Sequence, residues 1–409
     1  MENSFPGRSS GPALRRFRRG AAYAAALFLA ACDGPQSALA PNGPAAAAVA
    51  DLWWVMLAIA TLVSLAVFAA LLYALFHRRD FRGERPTLPL TAGAEQKKRD
   101  ARADESQPET ADEQRRRGDD PVDVLLDTTG SDRRSVRWVL AMGVGVSGVI
   151  LVGTLLFTLT TLGALHGREA PPDLTIEVTG WQWWWEVHYF DREGRQLFEA
   201  ANEIHVPVGK RVRVRLRAAD VIHSFWVPQL AGKLDMIPGR TNQFWIQADR
   251  PGVYRGQCAE YCAGPHALMA FLVIAEPEAE FRAWMARQRE PAASPESAAP
   301  THPHGETEAG SGHEHGGNVL RRGREVFLTA GCAECHTVRG TPAGGNVGPD
   351  LTHLASRRTL AAVTIPNTKG HLGGWITSPQ EIKPGNKMPA VPLEPEALLA
   401  LLHYLQSLK

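Results

Sequence analysis

The chain has 409 residues, and its 44 basic and 43 acidic side chains leave a formal net charge of +1. This balance excludes a strong bulk attraction to nucleic acid, while the length allows two or three domains. Five cysteines are present, at Cys32, Cys258, Cys262, Cys332 and Cys335. They are too few for a disulfide-stabilised scaffold, so each one needs an explanation of its own.

Residues 1–32 have the pattern of an export signal. The basic cluster Arg15–Arg19 precedes an apolar run that is too short to span a bilayer. The closing Leu29–Cys32, LAAC, resembles a bacterial lipoprotein cleavage box, and that interpretation makes Cys32 a lipid-carrying N-terminus. Cleavage near residues 38–40, with Cys32 discarded, is the alternative.

Two uncharged segments, 52–76 and 138–165, predict a transmembrane hairpin. At roughly 1.5 Å per residue, each helix can cross about 30 Å of hydrocarbon. Trp53 and Trp54 lie at one end of the first segment, as interfacial anchors do. A buried helical hairpin of a soluble protein is the alternative.

Basic residues flank the segment 77–137 on both sides and predict its orientation. They are Arg78, Arg79, Arg82, Arg133, Arg134 and Arg137. By the positive-inside rule this loop is cytoplasmic, so the chain after Leu165 lies on the outer side of a bacterial inner membrane. The loop mixes acids and bases with few apolar residues, which predicts disorder.

Residues 171–290 change to short β-rich runs separated by turn formers. The runs are Leu174–Thr179, Arg211–Leu216, Thr241–Gln247 and Ala270–Ile274. Short strands at this spacing predict an antiparallel sandwich or barrel. Pro277–Arg289 is predicted to form a closing helix.

The stretch Gly256–Met269, GQCAEYCAGPHALM, contains a candidate metal site. Its Cys258 and Cys262 are followed by His266 and Met269, and His223 lies upstream. Thiolate, imidazole and thioether are the donors that copper prefers. Two bridging thiolates can hold two copper ions with one imidazole each, and Met269 and the Glu260 carbonyl can complete the shell.

Two alternatives compete with copper at this loop. A disulfide is favoured by an oxidising compartment, but it leaves the histidines and the methionine unexplained. A copper-delivery thiol protein also uses C-x-x-x-C, yet its thioredoxin-like fold requires helices that alternate with strands. The sequence shows no such alternation.

The run from Asn202 to Met269, including DVIHSFWVPQLAGKLDMIPGRTNQFW, resembles subunit II of haem–copper cytochrome c oxidases. With the two spans, the resemblance extends from Leu52 to about Arg289. It implies an all-β, cupredoxin-like Greek-key domain with a binuclear CuA centre, and a Glu260 side chain that faces a magnesium ion shared with subunit I. The implied copper ligands are His223, Cys258, the Glu260 carbonyl, Cys262, His266 and Met269.

The same resemblance gives a role to Gly180–Trp185, GWQWWW, where this family accepts electrons. Trp183 matches the tryptophan through which they enter, and a packed aromatic cluster is the alternative. The chain departs from the family before its second span, where Ser135 stands near the position of the usual proton-channel glutamate. Asp132 is the candidate substitute.

Residues 291–317 are rich in Pro, Ala, Ser, Gly and Glu and predict a flexible linker. The linker contains four histidines, His302, His304, His313 and His315. We expect these side chains to be solvated, and loose metal binding is the alternative.

The sequence Cys332-Ala-Glu-Cys335-His336 is the attachment pattern of a c-type haem. In that pattern two thiols bond to the haem vinyls and the adjacent histidine reaches the iron. A zinc site at the two cysteines would lack a second cysteine pair.

Residues 318–409 resemble small class I cytochromes c in the order of their features: a helix, the haem motif, GPDL, KMPA and a final helix. This resemblance implies an all-α domain in which Met388 is the second axial ligand and the Pro349 carbonyl orients His336. The rival axial ligands are His353, His371 and His403.

Together these features predict the subunit II of a bacterial aerobic cytochrome c oxidase with a fused cytochrome c. Electrons are expected to pass from an external donor, either a cytochrome c or an upstream complex, to haem c, CuA and subunit I, where oxygen reduction is coupled to proton pumping. Subunit III is a further expected partner. The copper ligands argue against a quinol oxidase, and the missing propeller domain argues against nitrous oxide reductase. A membrane-tethered electron carrier without an oxidase is the alternative.

Overall fold

The computed structural model describes residues 34, 36–77, 130–166, 172–293 and 312–409. The predicted export signal with Cys32, most of the charged loop and most of the linker, including His302 and His304, lie outside the described residues. The chain divides into two compact units, residues 52–163 and residues 1–51 with 164–409. Each unit is described by itself.

Two long apolar helices carry the predicted membrane spans. The first is α1 (Pro44–His77). The second is built from α2 (Gly130–Leu140), a π-helical turn (Ala141–Val146) and α3 (Ser147–His166). Both are long and apolar enough to cross a membrane, and their most apolar windows are not covered by protein. This exposure argues against a buried hairpin of a soluble protein.

Both helices begin earlier than predicted. Helix α1 starts at Pro44 rather than Leu52, because Pro44 and an alanine run favour a helical start and its first turns are held by the β domain. The backbone N–H of Ala46 donates to the Leu230 carbonyl at 3.2 Å. Helix α2 starts at Gly130, so residues 130–137 of the predicted disordered loop are helical. Asp132 and Ser135 therefore lie on a helix.

Residues 172–290 form the β-sandwich domain, which consists of two five-stranded sheets. One sheet has the order β3-β2-β1-β5-β8 and the other β4-β10-β9-β6-β7. The strands are β1 (Leu174–Trp181), β2 (Trp184–Phe190), β3 (Gln196–Ala201), β4 (Glu203–Pro207), β5 (Val212–Ala218), β6 (His223–Trp226), β7 (Leu234–Met236), β8 (Asn242–Ile246), β9 (Gly252–Cys258) and β10 (Ala270–Glu276).

The predicted cupredoxin-like sandwich is confirmed, but its expected purely antiparallel pairing is wrong at two places. Strands β1 and β5 pair in parallel, and so do β4 and β10. Both parallel pairs join strands that are distant in sequence, as Greek-key crossovers between two sheets require. All other pairings in the two sheets are antiparallel.

The core lies between the sheets, where alternate residues of β1, β2, β5 and β9 and nearly all of β10 are buried. Trp185, Phe225 and Phe271 form its aromatic centre, with ring centroids 4.4 Å apart for Phe225–Phe271 and 4.9 Å for Trp185–Phe271. Helix α4 (Glu278–Arg289) closes the sandwich where predicted and buries Phe281 and Trp284. Such inward alternation is what fixes strand register in a sandwich.

The C-terminal domain, residues 312–409, is mainly helical, as predicted. Its elements are α5 (Gly312–Thr329), α6 (Cys332–Cys335), β11 (Thr359–Leu360), β12 (Ile365–Pro366), α7 (Lys369–Thr377), α8 (Pro379–Ile382) and α9 (Pro395–Ser407). Helices α5 and α9 cross so closely that a Cβ on Gly323 would lie 2.1 Å from the Ala400 carbonyl oxygen. Two details differ from the prediction: residues 312–317 of the predicted linker are helical, and a two-stranded ribbon joins the helices.

Replacing Phe271 with alanine should destabilise the β-sandwich domain by about 3–5 kcal/mol, because a fully buried ring is removed and a cavity remains. Thermal unfolding of the purified chain measures this loss. The exposed Val253→Ala variant is the control and should change the midpoint little. An unchanged midpoint for Phe271→Ala would contradict the described core.

Candidate metal centre and haem attachment site

Residues 258–269 form the candidate metal loop. Its two cysteines lie close together and are not joined by a disulfide. Cys258 ends β9, and Cys262 follows in the loop that leads to β10. Their sulfur atoms are 3.8 Å apart, far beyond the S–S bond length of about 2.05 Å. The two sulfurs can therefore act as ligands in the same metal site.

The other predicted donors surround this pair. The Cys258 sulfur lies 3.8 Å from His223 Nδ1 and 3.1 Å from the Glu260 carbonyl oxygen. The Cys262 sulfur lies 3.4 Å from His266 Nδ1 and 3.8 Å from the Met269 sulfur. All six sequence-predicted donors are thus brought to one place. Strand pairing explains this, because β6, which begins at His223, pairs with β9.

The electrostatics of the pair favour a bound cation. A hydrogen bond with Cys262 lowers the pKa of Cys258 to about 4, while the same bond together with burial raises the pKa of Cys262. Ionisation of one thiol therefore opposes ionisation of the other. Burial opposes the charged form of His223, but hydrogen bonds with Cys258 and Asp220 raise its pKa.

Asp220 orients His223 toward the sulfurs. Its Oδ1 lies 2.9 Å from His223 Nε2, and its Oδ2 accepts the backbone N–H of Gln182 at 2.7 Å. With Nε2 engaged, Nδ1 is the ring nitrogen that faces Cys258. Gly180 gives the ring its space, since a Cβ there would lie 2.9 Å from the imidazole.

The donor set fits a soft metal. The donor groups are thiolate, thioether and imidazole. Four of the residues that supply them are at most 4% exposed: His223, Cys258, Cys262 and Met269. Buried thiolates without a cation are costly, and these donor types are the ones that select copper. The residues therefore fit a copper pair better than a purely structural cluster.

Trp183 lies directly on the metal loop. Its indole N–H is shared between the carbonyls of Cys262 at 3.0 Å and Ala263 at 2.7 Å. Gly264, at φ +42°, allows this contact because a Cβ there would lie 2.3 Å from the indole ring. The neighbouring Trp185 is fully buried in the core, so this tryptophan belongs to a packed aromatic cluster.

The haem attachment motif lies on a single helical turn, α6, followed directly by His336. His336 Nδ1 lies 2.8 Å from the Pro349 carbonyl, as predicted, which leaves Nε2 for a metal. Burial lowers the pKa of His336 and so keeps the ring neutral, as an iron ligand must be. Gly348 supports the ring closely, since a Cβ there would lie 2.6 Å from Cε1.

Met388 packs against the buried core of the C-terminal domain. The rival histidines have other contacts. His353 reaches the Lys409 and Glu290 carbonyls with its two ring nitrogens, at 2.7 and 3.1 Å. His371 Nδ1 lies 2.7 Å from the Thr368 hydroxyl, and His403 Nε2 lies 3.0 Å from Lys369 Nζ. These contacts favour Met388 as the second ligand.

Known protein families match both the β-sandwich domain and the C-terminal domain. The family model of the cytochrome c oxidase subunit II periplasmic domain matches residues 174–276. The cytochrome c family model matches residues 320–409. Cytochrome c oxidase subunit 2 of Alkalihalophilus pseudofirmus is 33% identical over 391 residues, which cover 94% of each protein.

The chain belongs to the cytochrome c oxidase subunit II family. Cytochrome c oxidase subunit 2 of Bacillus sp. is 29% identical over 72% of this chain and 80% of its own length. Among solved structures, the periplasmic domain of subunit II of cytochrome oxidase from Bradyrhizobium japonicum is 36% identical and covers 30% of this chain and 97% of its own, with a TM-score of 0.28.

Membership in the subunit II family confirms the predicted function and enzyme class, namely a part of an oxidoreductase complex. The subunit II domain implies CuA copper, and the fused cytochrome c domain implies haem. A periplasmic domain and two candidate spans fit an inner-membrane protein.

Sequence reasoning missed three side chains: Asp220 beside His223, Lys383 beside Trp183, and Glu203, which bonds the backbone of the C-terminal domain. Asp220 stands within the quoted DVIHSFW motif, three residues before His223, and this spacing was the available signal. Glu203 and Lys383 contact residues 155 to 200 positions away, so no local pattern pointed to them.

Both thiols of the metal loop should be alkylated when the purified chain is unfolded in iodoacetamide without reductant. We expect one label each on Cys258 and Cys262, because their sulfurs are separate. Peptide mass spectrometry reads the labels, and a reduced sample is the control. An unlabelled peptide two hydrogen masses lighter would establish the disulfide instead.

Proposed function

We propose that this chain takes single electrons from an external donor at its C-terminal domain, passes them to the metal loop and delivers them to oxidase subunit I. The convergence of six donors, five of them sulfur or imidazole, around the sulfur pair carries this proposal. Oxygen reduction and proton pumping then occur in the complex, in subunit I.

The proposed CuA ligands are the six donors that surround the sulfur pair: His223, Cys258, Glu260 through its carbonyl, Cys262, His266 and Met269. When bound, a copper pair held by these residues would supply reversible one-electron chemistry. The chain holds the donors in place before any metal binds. Cys258 and Met269 are tied by a backbone hydrogen bond from the Cys258 N–H to the Met269 carbonyl at 2.9 Å, which limits reorganisation of the loop.

The proposed haem ligands are Cys332 and Cys335 for covalent attachment, with His336 and Met388 on the iron. Thioether ligation raises the reduction potential of a haem relative to two imidazoles. The Pro349 carbonyl fixes the tautomer of His336 through the 2.8 Å hydrogen bond.

Trp183 is the proposed residue through which electrons enter the metal loop. Its indole N–H is hydrogen-bonded to the carbonyl of Cys262, itself a proposed ligand. The ring is half-buried, so one side of it remains within reach of a donor group. This contact offers a short bonded route from the ring to a ligand sulfur.

The proposed membrane arrangement follows from the arginines at both ends of residues 77–137. Residues 77–137 face the cytoplasm, and the two redox domains lie on the periplasmic side, with Cys32 as a lipid anchor. The partners are oxidase subunit I and subunit III. Asp132, on α2, is the proposed substitute for the usual acid of the proton channel, because Ser135 stands near that acid's position.

Glu260 is the proposed contact to a magnesium ion at the subunit I boundary. Its backbone carbonyl faces the sulfur pair, while its carboxylate points away and lies 3.8 Å from Lys233 Nζ with about two-fifths of the side chain exposed. Hard oxygen ligands of this kind suit magnesium. Lys233 is the cation that the ion would displace.

Cys258→Ser should abolish copper binding and leave haem attachment intact, since one bridging sulfur is lost while α6 is untouched. Metal analysis and visible spectra of the purified chain test this, with two coppers and one haem expected for the parent. Cys32→Ser is the matched control and should keep both groups. Retained copper in Cys258→Ser would overturn the ligand assignment.

A membrane-tethered carrier without an oxidase is the competing function. Purification of the intact chain from its own membranes distinguishes the two. We expect a haem-a-containing subunit and cyanide-sensitive oxygen uptake to accompany it. A chain that purifies alone, with both metal groups loaded, would favour the carrier.

A further inference from the structure

Buried charges mark the boundary between the β-sandwich domain and the C-terminal domain. Among the described residues, the buried carboxylates and amines are Glu203, Asp350 and Lys383. Such groups are rarely buried unless they have partners. All three lie at this boundary, where the backbone N–H of Asp350 reaches Glu199 Oε1 at 3.4 Å.

Glu203, on the edge strand β4, binds the backbone of the opposite domain. Its carboxylate accepts the N–H of Arg358 at 2.9 Å, the N–H of Thr359 at 3.0 Å and the Thr359 hydroxyl at 3.0 Å. All of these hydrogen bonds come from the C-terminal domain. Hydrogen bonds to an ionised acceptor are about twice as strong as neutral ones.

Lys383 makes the reciprocal contact from the C-terminal domain. Its ammonium donates to the backbone carbonyl of Trp183 at 2.7 Å and to that of Ala361 at 3.1 Å. Burial lowers the pKa of Lys383 to about 7, which shows how far the amine is withdrawn from water. Lys383 thus bonds Trp183, whose indole N–H donates to the Cys262 carbonyl of the metal loop.

A turn in the left-handed conformation completes the boundary. Ala361, Ala362 and Val363 have φ of 55°, 57° and 65°, a region that residues with a Cβ seldom adopt. The Ala362 carbonyl accepts the N–H of Ala270 at 3.2 Å, one residue after Met269. Strained backbone persists only where its surroundings over-determine it, and here the surroundings include the metal loop.

We propose that Glu203 and Lys383 are positioning residues that hold the C-terminal domain on the metal-loop face, so that electrons cross between the two domains from one fixed geometry. This inference rests on the proposed function. In the alternative, the C-terminal domain moves freely on its linker and meets the metal loop by diffusion. Lys387, which precedes Met388 in the chain, lies 3.7 Å from Asp220, the carboxylate that contacts His223.

Electron transfer within the purified oxidase complex tests the proposal. The haem is reduced by a flash with a ruthenium photoreductant, and its reoxidation by the copper centre is followed by absorbance. In the parent complex the rate should be independent of salt, because buried contacts are screened little. Glu203→Gln and Lys383→Met should slow the fast phase by about tenfold or more, since each change removes one partner of a buried hydrogen-bonded contact.

The controls separate positioning from general damage. Glu193→Gln and Lys369→Met change exposed or half-buried groups whose contacts, with Arg195 and His403, stay within their own domains, and both should transfer electrons at the parent rate. Glu203→Asp keeps a shorter carboxylate and should recover part of the loss. Metal content, spectra and reduction potentials should remain those of the parent in all variants.

Hydrogen exchange of the peptide that contains Arg358 and Thr359 gives an independent reading of docking. Exchange should accelerate in Glu203→Gln and stay slow in Glu193→Gln. Parent-like electron transfer together with slow exchange in Glu203→Gln would overturn the inference, as would a steep salt dependence in the parent. A parent complex without copper or haem would instead refute the proposed function, and the exchange result would still decide whether Glu203 docks the domains.

Discussion

The sulfur pair of Cys258 and Cys262 is the constraint on which the rest of the site depends. The two buried sulfurs lie 3.8 Å apart, and their contact lowers the pKa of Cys258 and raises that of Cys262, because a second negative charge there is opposed by both burial and repulsion. A cation removes this conflict and allows both sulfurs to ionise. The strand pairing that fixes Cys258 beside β6 also fixes His223, so the fold assembles the ligands before any metal arrives.

Glycines give three functional rings their positions. The imidazole of His223 rests on Gly180, the indole of Trp183 on Gly264, and the imidazole of His336 on Gly348. In each case a Cβ would lie within 3 Å of the ring, and only glycine permits such an approach. The rings are therefore held by close backbone contact as well as by hydrogen bonds, which limits how far they move when charge changes at the neighbouring ligands.

The boundary between the two redox domains links these sites into one electron path. The glutamate–backbone contact of Glu203 lies at one part of the boundary, and the Lys383 contact with Trp183 lies at another. Because these two contacts lie at different positions, together they restrict both the rotation and the dissociation of the two domains. Since electron transfer depends on the distance and orientation of its partners, such a boundary defines the route more strictly than a linker that only raises effective concentration.

The sequence by itself determined the chemistry of this protein. Two uncharged runs, a C-x-x-x-C loop with His266 and Met269, and the haem motif at Cys332–His336 are local patterns whose spacing carries their meaning. Local pattern also separated a β-rich domain from a helical one. It could not give the parallel pairings of β1 with β5 and of β4 with β10, because those join strands remote in sequence.

Only the tertiary structure decided which tryptophan is core and which rests on the metal loop, and which charges are buried. Trp183 and Trp185 are near neighbours in one aromatic run, yet β2 turns the second into the core while the first lies on Cys262. Glu203 and Lys383 are ordinary charged residues in the sequence. Their partners lie 155 and 200 residues away, and contacts at that separation are created by the packing of whole domains.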